Sequence, residues 1–221
     1  MLLLHGYASR KESFYYQIKY LSERFCVTAP DFPCFGGSET TDTPWSVGDY
    51  AVWLEKFIKT VRLDRPHIIA HSFGARVAFK LLSEHGELAD RLIICGGAGL
   101  VKPRSLQYIR RVNAYRRIKK LFPKYAEKHF GSAEYRSLSP MMKESYKLIV
   151  NEDLKDCAKN IKNLTLLLYG KEDSVTPPNE EGEIFHSLIE GSKFEILPGG
   201  HFGFCEYPLI YNQKIYEFLE R

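Results

Sequence analysis

Apolar positions along this chain fall into two alternating patterns. The first is a set of short, nearly continuous apolar runs: Leu2–Leu4, Phe25–Ala29, Ile68–Ala70, Leu92–Cys95, Leu164–Tyr169 and Phe194–Leu197. Runs of this length, each ended by Gly, Pro or polar residues, read as strands buried on both faces, as a parallel sheet requires. The second pattern spaces apolar residues three or four apart, the period of an amphipathic helix. It appears in Phe14, Ile18 and Leu21, in Tyr50, Leu54, Phe57, Ile58 and Val61, and in Ala75, Val77, Ala78, Leu81 and Leu82. Asn179–Leu188 and Tyr207–Leu219 complete the series, and Ser13 and Ser46 stand where helix N-caps belong. Strands alternating with helices predict an α/β fold whose mostly parallel, six-stranded sheet is flanked by helices.

The alternation lapses between residues 98 and 163. Leu106, Ile109, Val112, Tyr115, Ile118 and Leu121 keep a helical period, and Met141, Tyr146, Leu148 and Ile149 mark another helix, with no clear strand between them. A helical insertion after the fourth strand reads as a cap or lid (98–163) on a core made of residues 1–97 and 164–221.

Composition narrows the classes. A chain of 221 residues with 44% hydrophobic and 26% charged positions is ordinary for a soluble globular domain. No apolar run approaches the roughly 18 residues of a membrane span. Leu2–Leu4 lacks a basic lead and stops at His5-Gly6, so it does not read as a signal peptide. Five cysteines without C-x-x-C or metal-ligand spacing read as free thiols in a reducing, cytoplasmic setting. A net charge of +4 is too small to argue for nucleic acid.

The candidate chemistry gathers just past strand ends. Ser72 sits between the Ile68–Ala70 run and a helical pattern, in Ala70-His71-Ser72-Phe73-Gly74, with small residues two positions away on each side. Such a strand-to-helix turn presents the hydroxyl above the sheet and leaves the Phe73 N–H at a helix N-terminus, where it can bind an anion. A serine needs a base, and the base an orienting group. His201 follows the last strand in Pro198-Gly199-Gly200-His201-Phe202, and Asp173 follows another in Gly170-Lys171-Glu172-Asp173. The chain order is serine, acid, histidine.

With these motifs in place, the chain resembles the α/β-hydrolase superfamily over essentially its whole length. The matching pieces are Leu4-His5-Gly6-Tyr7, the loop from Asp31 to Ser38, His71-Ser72-Phe73-Gly74, Gly170–Pro177 and Gly200-His201-Phe202. The resemblance implies a Ser72-His201-Asp173 triad, an oxyanion hole made by the backbone N–H groups of Tyr7 and Phe73, and an acyl-enzyme. The activity it implies first is hydrolysis of a small carboxylic ester, with no metal or organic cofactor required. Carbon–carbon bond or thioester cleavage on the same triad are alternatives, as is a catalytically silent binding protein. A serine at the elbow sets the chain apart from relatives with an aspartate nucleophile, such as haloalkane dehalogenases and most epoxide hydrolases. His5 and His71 read as structural or packing residues, His67, His85, His129 and His186 as surface or boundary positions, and Glu172 as secondary to Asp173.

Two features depart from the family pattern. The two strands that usually precede the one ending in His-Gly are missing, which would leave Phe25–Ala29 as a sheet edge and predicts a homodimer through it or a less stable domain. Between Lys102 and Lys128 there are ten basic residues against one acid, Glu127. A solvated helix face explains this plainly; an attraction for an anionic substrate, carrier protein or membrane surface is the sharper reading.

Overall fold

The structure, a computed structural model, describes residues 1–101, 106–122 and 133–220. Its frame is a five-stranded, all-parallel sheet in the order β1 (Leu2–Leu4), β2 (Ile68–His71), β3 (Arg91–Cys95), β4 (Leu164–Gly170) and β5 (Lys193–Leu197). In register, Leu3 lies beside Ile69, Ile69 beside Ile93, and Ile94 beside Leu167.

Alternate residues of these apolar strands feed two separate core layers, as the pleat requires. Leu2, Leu4, Ile68, Ala70, Leu92, Ile94, Leu167 and Tyr169 pack with α2 (Val47–Thr60), α3 (Phe73–Leu82) and α8 (Glu183–Leu188). Leu3, Ile69, Ile93, Cys95, Leu166 and Leu168 pack on the opposite face with Phe14, with α1 (Tyr15–Leu21) and with α9 (Pro208–Leu219). Both faces are covered, so Ile68–Ala70, Leu92–Cys95 and Leu166–Tyr169 are unbroken apolar runs, and the polar positions His71, Arg91 and Thr165 fall at the strand ends.

Two expectations need correction. Among the described residues the sheet has five strands, not six: the Phe25–Ala29 segment runs parallel to β1 but forms a single bridge, Thr28 with Leu2. It holds β1 through Thr28 N–H to the Met1 carbonyl and Leu3 N–H to the Thr28 carbonyl, both 2.9 Å, and Pro30 then denies it a further ladder donor. Ser13 is not a helix cap, because a 3-10 turn over Lys11–Phe14 runs directly into α1. Ser46, in contrast, forms a full capping box with Asp49 at the start of α2.

Between β3 and β4 the described residues contain helices α4 (Leu106–Leu121), α5 (Ala133–Ser137), α6 (Pro140–Val150) and α7 (Lys155–Lys159), and no strand. Lys102, Arg104, Lys124, Glu127, Lys128 and His129 lie outside the described residues. Arg110, Arg117 and Lys120, on α4, are exposed. Among the described residues no helix is long and apolar enough to cross a membrane.

Candidate active site

Because the strands are parallel, the loops that follow their C-terminal ends meet along one edge of the sheet, where open α/β sheets place their ligands. Ser72 stands at the end of β2 with φ 50° and ψ −107°, a left-handed conformation that a side chain adopts only where the surroundings enforce it. The enforcement is local. A Cβ at Gly74 would stand 2.3 Å from the Leu4 carbonyl oxygen, so helix α3 can cross β1 this closely only with glycine there.

Three of the candidate side chains form one hydrogen-bonded line. Ser72 Oγ lies 2.9 Å from His201 Nε2, and His201 Nδ1 lies 2.8 Å from Asp173 Oδ2. With the Nδ1 proton directed at the carboxylate, Nε2 is left to accept from the serine hydroxyl. Asp173 is buried, and its other oxygen accepts the amides of Val175 and Thr176 at 2.8 and 2.9 Å. Burial alone would raise the Asp173 pKa, but the bonds from His201 and from the Thr176 amide and hydroxyl outweigh it, so the carboxyl sits below its ordinary value.

Several supports escaped the sequence reading. Thr176 Oγ1 reaches Asp173 Oδ2 at 2.7 Å, the Gly96 carbonyl at 3.1 Å and His201 Nδ1 at 3.2 Å, tying three loops together. Glu172 turns away from the histidine and accepts the Gly199 amide at 2.9 Å, holding the histidine loop from outside. His71 packs under the site, as expected of a packing residue, and its Nε2 also bonds the backbone carbonyl of His201 at 3.0 Å. Its pKa falls to about 3, first through burial and second through the neighbouring His201, so it is neutral and donates this bond. A short motif carries none of these relations, since they depend on which loops meet.

Tyr7 and Phe73 contribute on the opposite side of Ser72. Phe73 opens α3, so its amide has no acceptor within the helix, and neither its N–H nor that of Tyr7 donates to the backbone of a described residue. His5 shapes this loop, as anticipated: it is fully buried, its Nδ1 bonds the Gly6 carbonyl at 2.7 Å and its Nε2 accepts the Phe32 amide at 3.0 Å. A cavity of about 640 Å³ lies above Ser72. Tyr7, Phe73, His201 and Phe202 form its lower wall, and Tyr135 of α5, Tyr146 and Ile149 of α6, and Leu138 between those helices cover it. Tyr7 OH donates to the Met142 carbonyl at 3.2 Å, joining the lower wall to the cover. Among the described residues no group of three His, Cys, Asp or Glu side chains could hold a metal ion.

Comparison with known proteins adds ancestry to this geometry. A family model described as the alpha/beta hydrolase fold matches residues 1–128. An uncharacterised protein of Mycobacterium tuberculosis is 30% identical over 102 residues, which cover 46% of this chain and 30% of that protein. The match thus takes in less than a third of the relative's length. Among solved structures, an esterase from Exiguobacterium antarcticum superposes with a TM-score of 0.77 at 22% identity, covering 100% of this chain and 91% of the other. An enol-lactonase from Burkholderia xenovorans gives 0.78 at 20% identity, covering 100% and 90%.

Proposed function

The chain belongs to the α/β-hydrolase fold family, and from that premise we propose that it is a serine hydrolase that cleaves a small carboxylic ester through an acyl-enzyme. One observation carries the reading: a continuous Ser72–His201–Asp173 hydrogen-bond line at the floor of a cavity beside two backbone amides without backbone acceptors.

In this reading Ser72 Oγ attacks the ester carbonyl carbon while His201 Nε2 takes its proton. The carbonyl oxygen becomes an oxyanion facing the Tyr7 and Phe73 amides, which serve as pre-aimed donors. Asp173 holds the imidazole in the required tautomer and balances its charge once it is protonated. Collapse of the tetrahedral adduct breaks the ester C–O bond, and the histidine proton leaves with the alcohol. Water then repeats the sequence: His201 takes its proton, hydroxide adds to the acyl carbon, and Ser72 leaves with the proton restored. The described part of the insertion, through Tyr135, Leu138, Tyr146 and Ile149, acts as a lid that sets which acyl and alcohol groups fit. Two of the matched structures carry the names esterase and enol-lactonase, which agrees with this choice of bond.

A series of p-nitrophenyl esters from acetate to decanoate, run beside a fluorophosphonate label, tests the reading. Turnover and covalent labelling at Ser72, both lost in S72A, are expected. A chain that neither turns over an ester nor takes the label is not a serine hydrolase, and turnover confined to thioesters or vinylogous diketones would move the bond cleaved while keeping the three residues.

A further inference from the structure

One side chain in the cavity has more hydrogen-bonding capacity than its surroundings use. Arg76 lies one helical turn beyond Ser72 on α3, is 7% exposed, and lines the same cavity. Its neighbours along the helix, Ala75, Val77, Ala78 and Phe79, are all apolar and buried. A guanidinium in that position requires partners. Nη1 finds two, the carbonyls of Ile149 and Glu152, each at 3.0 Å, at the end of the cover helix α6.

Nε and Nη2, with three N–H groups between them, donate to no described residue. Neither is among the fully enclosed polar atoms without a partner, and Arg76 is one of the residues that line the cavity. The structural task of Arg76, pinning the cover, is completed by Nη1. The Nε–Nη2 edge remains, and it presents parallel donors in the geometry that a carboxylate accepts with both oxygens.

The cavity's other buried charge does not occupy this edge. Glu181 takes the Leu100 amide at 3.3 Å and forms no ion pair with Arg76. Burial lowers the Arg76 pKa, and Glu181 and Glu152 oppose that effect, so the group remains a cation.

We propose that Arg76 binds a carboxylate on the substrate, and that the ester cleaved at Ser72 therefore carries a free acid a few carbons from its carbonyl. This rests on the reading of Ser72 as nucleophile, whereas the binding it assigns to Arg76 can be measured without turnover. Ser72 and Arg76 lie four positions apart along the chain, a backbone rise of about 6 Å, and the acids tried first are therefore short dicarboxylic monoesters.

The test compares mono-p-nitrophenyl succinate, glutarate and adipate with the neutral p-nitrophenyl pentanoate. In the wild type the best acidic ester should exceed pentanoate at least tenfold in kcat/KM, mainly through KM, and in R76M that ratio should fall by tenfold or more. The R110Q/R117Q variant, which removes exposed lid charges, should keep the wild-type ratio; loss of the preference there, with R76M unchanged, would assign it to the lid and overturn the proposal. Calorimetric titration of the wild type with glutarate and with glutaramide removes any dependence on catalysis or on the folding of R76M. Binding of glutarate at least tenfold tighter than glutaramide is expected, and equal or absent binding of the two overturns the role of Arg76. If no ester is turned over but glutarate binds selectively, the hydrolase reading fails while the carboxylate site stands.

Discussion

At the residue scale, the site consists of side chains whose partners arrive from other loops. Asp173 shows this most directly, because it accepts two backbone amides, a threonine hydroxyl and the histidine. Asp173→Asn preserves shape but offers an amide where the imidazole proton needs an acceptor, so kcat should fall by about 10³–10⁴ with folding intact. Thr176→Val removes one hydroxyl donor and should lower kcat about tenfold, with Thr176→Ser restoring most of it. Steady-state kinetics beside circular dichroism check both, and a Thr176→Ser variant as slow as Thr176→Val would show that the methyl packing matters rather than the hydroxyl. Ser72, Asp173 and His201 were legible in sequence because each follows a strand directly, and strand ends in a parallel sheet converge. Arg76 was not, since an arginine in an amphipathic helix reads as solvated and only its burial gives it away. Thr176 stood in a recognised loop, but nothing in a linear string says that its hydroxyl faces two other loops.

At the scale of elements, patterns that a segment can satisfy alone were legible, and those that need a neighbour were not. Helix α2 is of the first kind. Its apolar face and its Ser46–Asp49 box are both local, with Ser46 Oγ receiving the Asp49 amide at 3.3 Å and Asp49 Oδ2 receiving the Ser46 amide at 2.8 Å. Ser46→Ala should therefore cost about 1 kcal/mol of unfolding free energy, read as a lower urea midpoint by the fluorescence of the adjacent Trp45 and of Trp53, with the m-value unchanged. An unaltered midpoint would mean that tertiary packing alone sets the start of α2. Phe25–Ala29 is of the second kind. Its composition is that of a strand, but a strand exists only where a ladder does, and this segment meets β1 at one residue before Pro30. Ser13 likewise has the right residue type for a cap, but the chain before it already curls into a 3-10 turn that leaves no free helix start.

For the molecule as a whole, buried imidazoles link stability to pH in a definite direction. His71 has its pKa depressed to about 3, and His5 and His67 are lowered as well, in each case first by burial. An unfolded chain titrates these groups near 6.5, so below that pH it binds protons that the folded chain refuses. The stability that neutral burial supplies is thus fully present above about pH 6.5 and declines as pH falls toward the folded values, by about 1.4 kcal/mol per pH unit for each histidine involved. The carboxylates do not mask this. Asp31 is held at about 2 because the Gly37 amide and the Lys11 ammonium and amide outweigh the upward push of burial. Its contribution is present above the unfolded value near 3.8 and lost only as pH falls through about 2, and Asp173, also depressed, behaves in the same direction. From pH 6.5 to about 5 the change is therefore carried by the histidines together with the Met1 amine, which burial likewise holds below its ordinary value of 8.0. Urea unfolding of the wild type should show a free energy that falls steadily from pH 7 to pH 5. His71→Asn keeps a donor for the His201 carbonyl but cannot be protonated, and its curve should be shallower by about one proton. A wild-type free energy that is flat across this range, or a slope unchanged in His71→Asn, would show that the histidine beneath the site titrates in the folded protein, and that the floor under His201 is open to water.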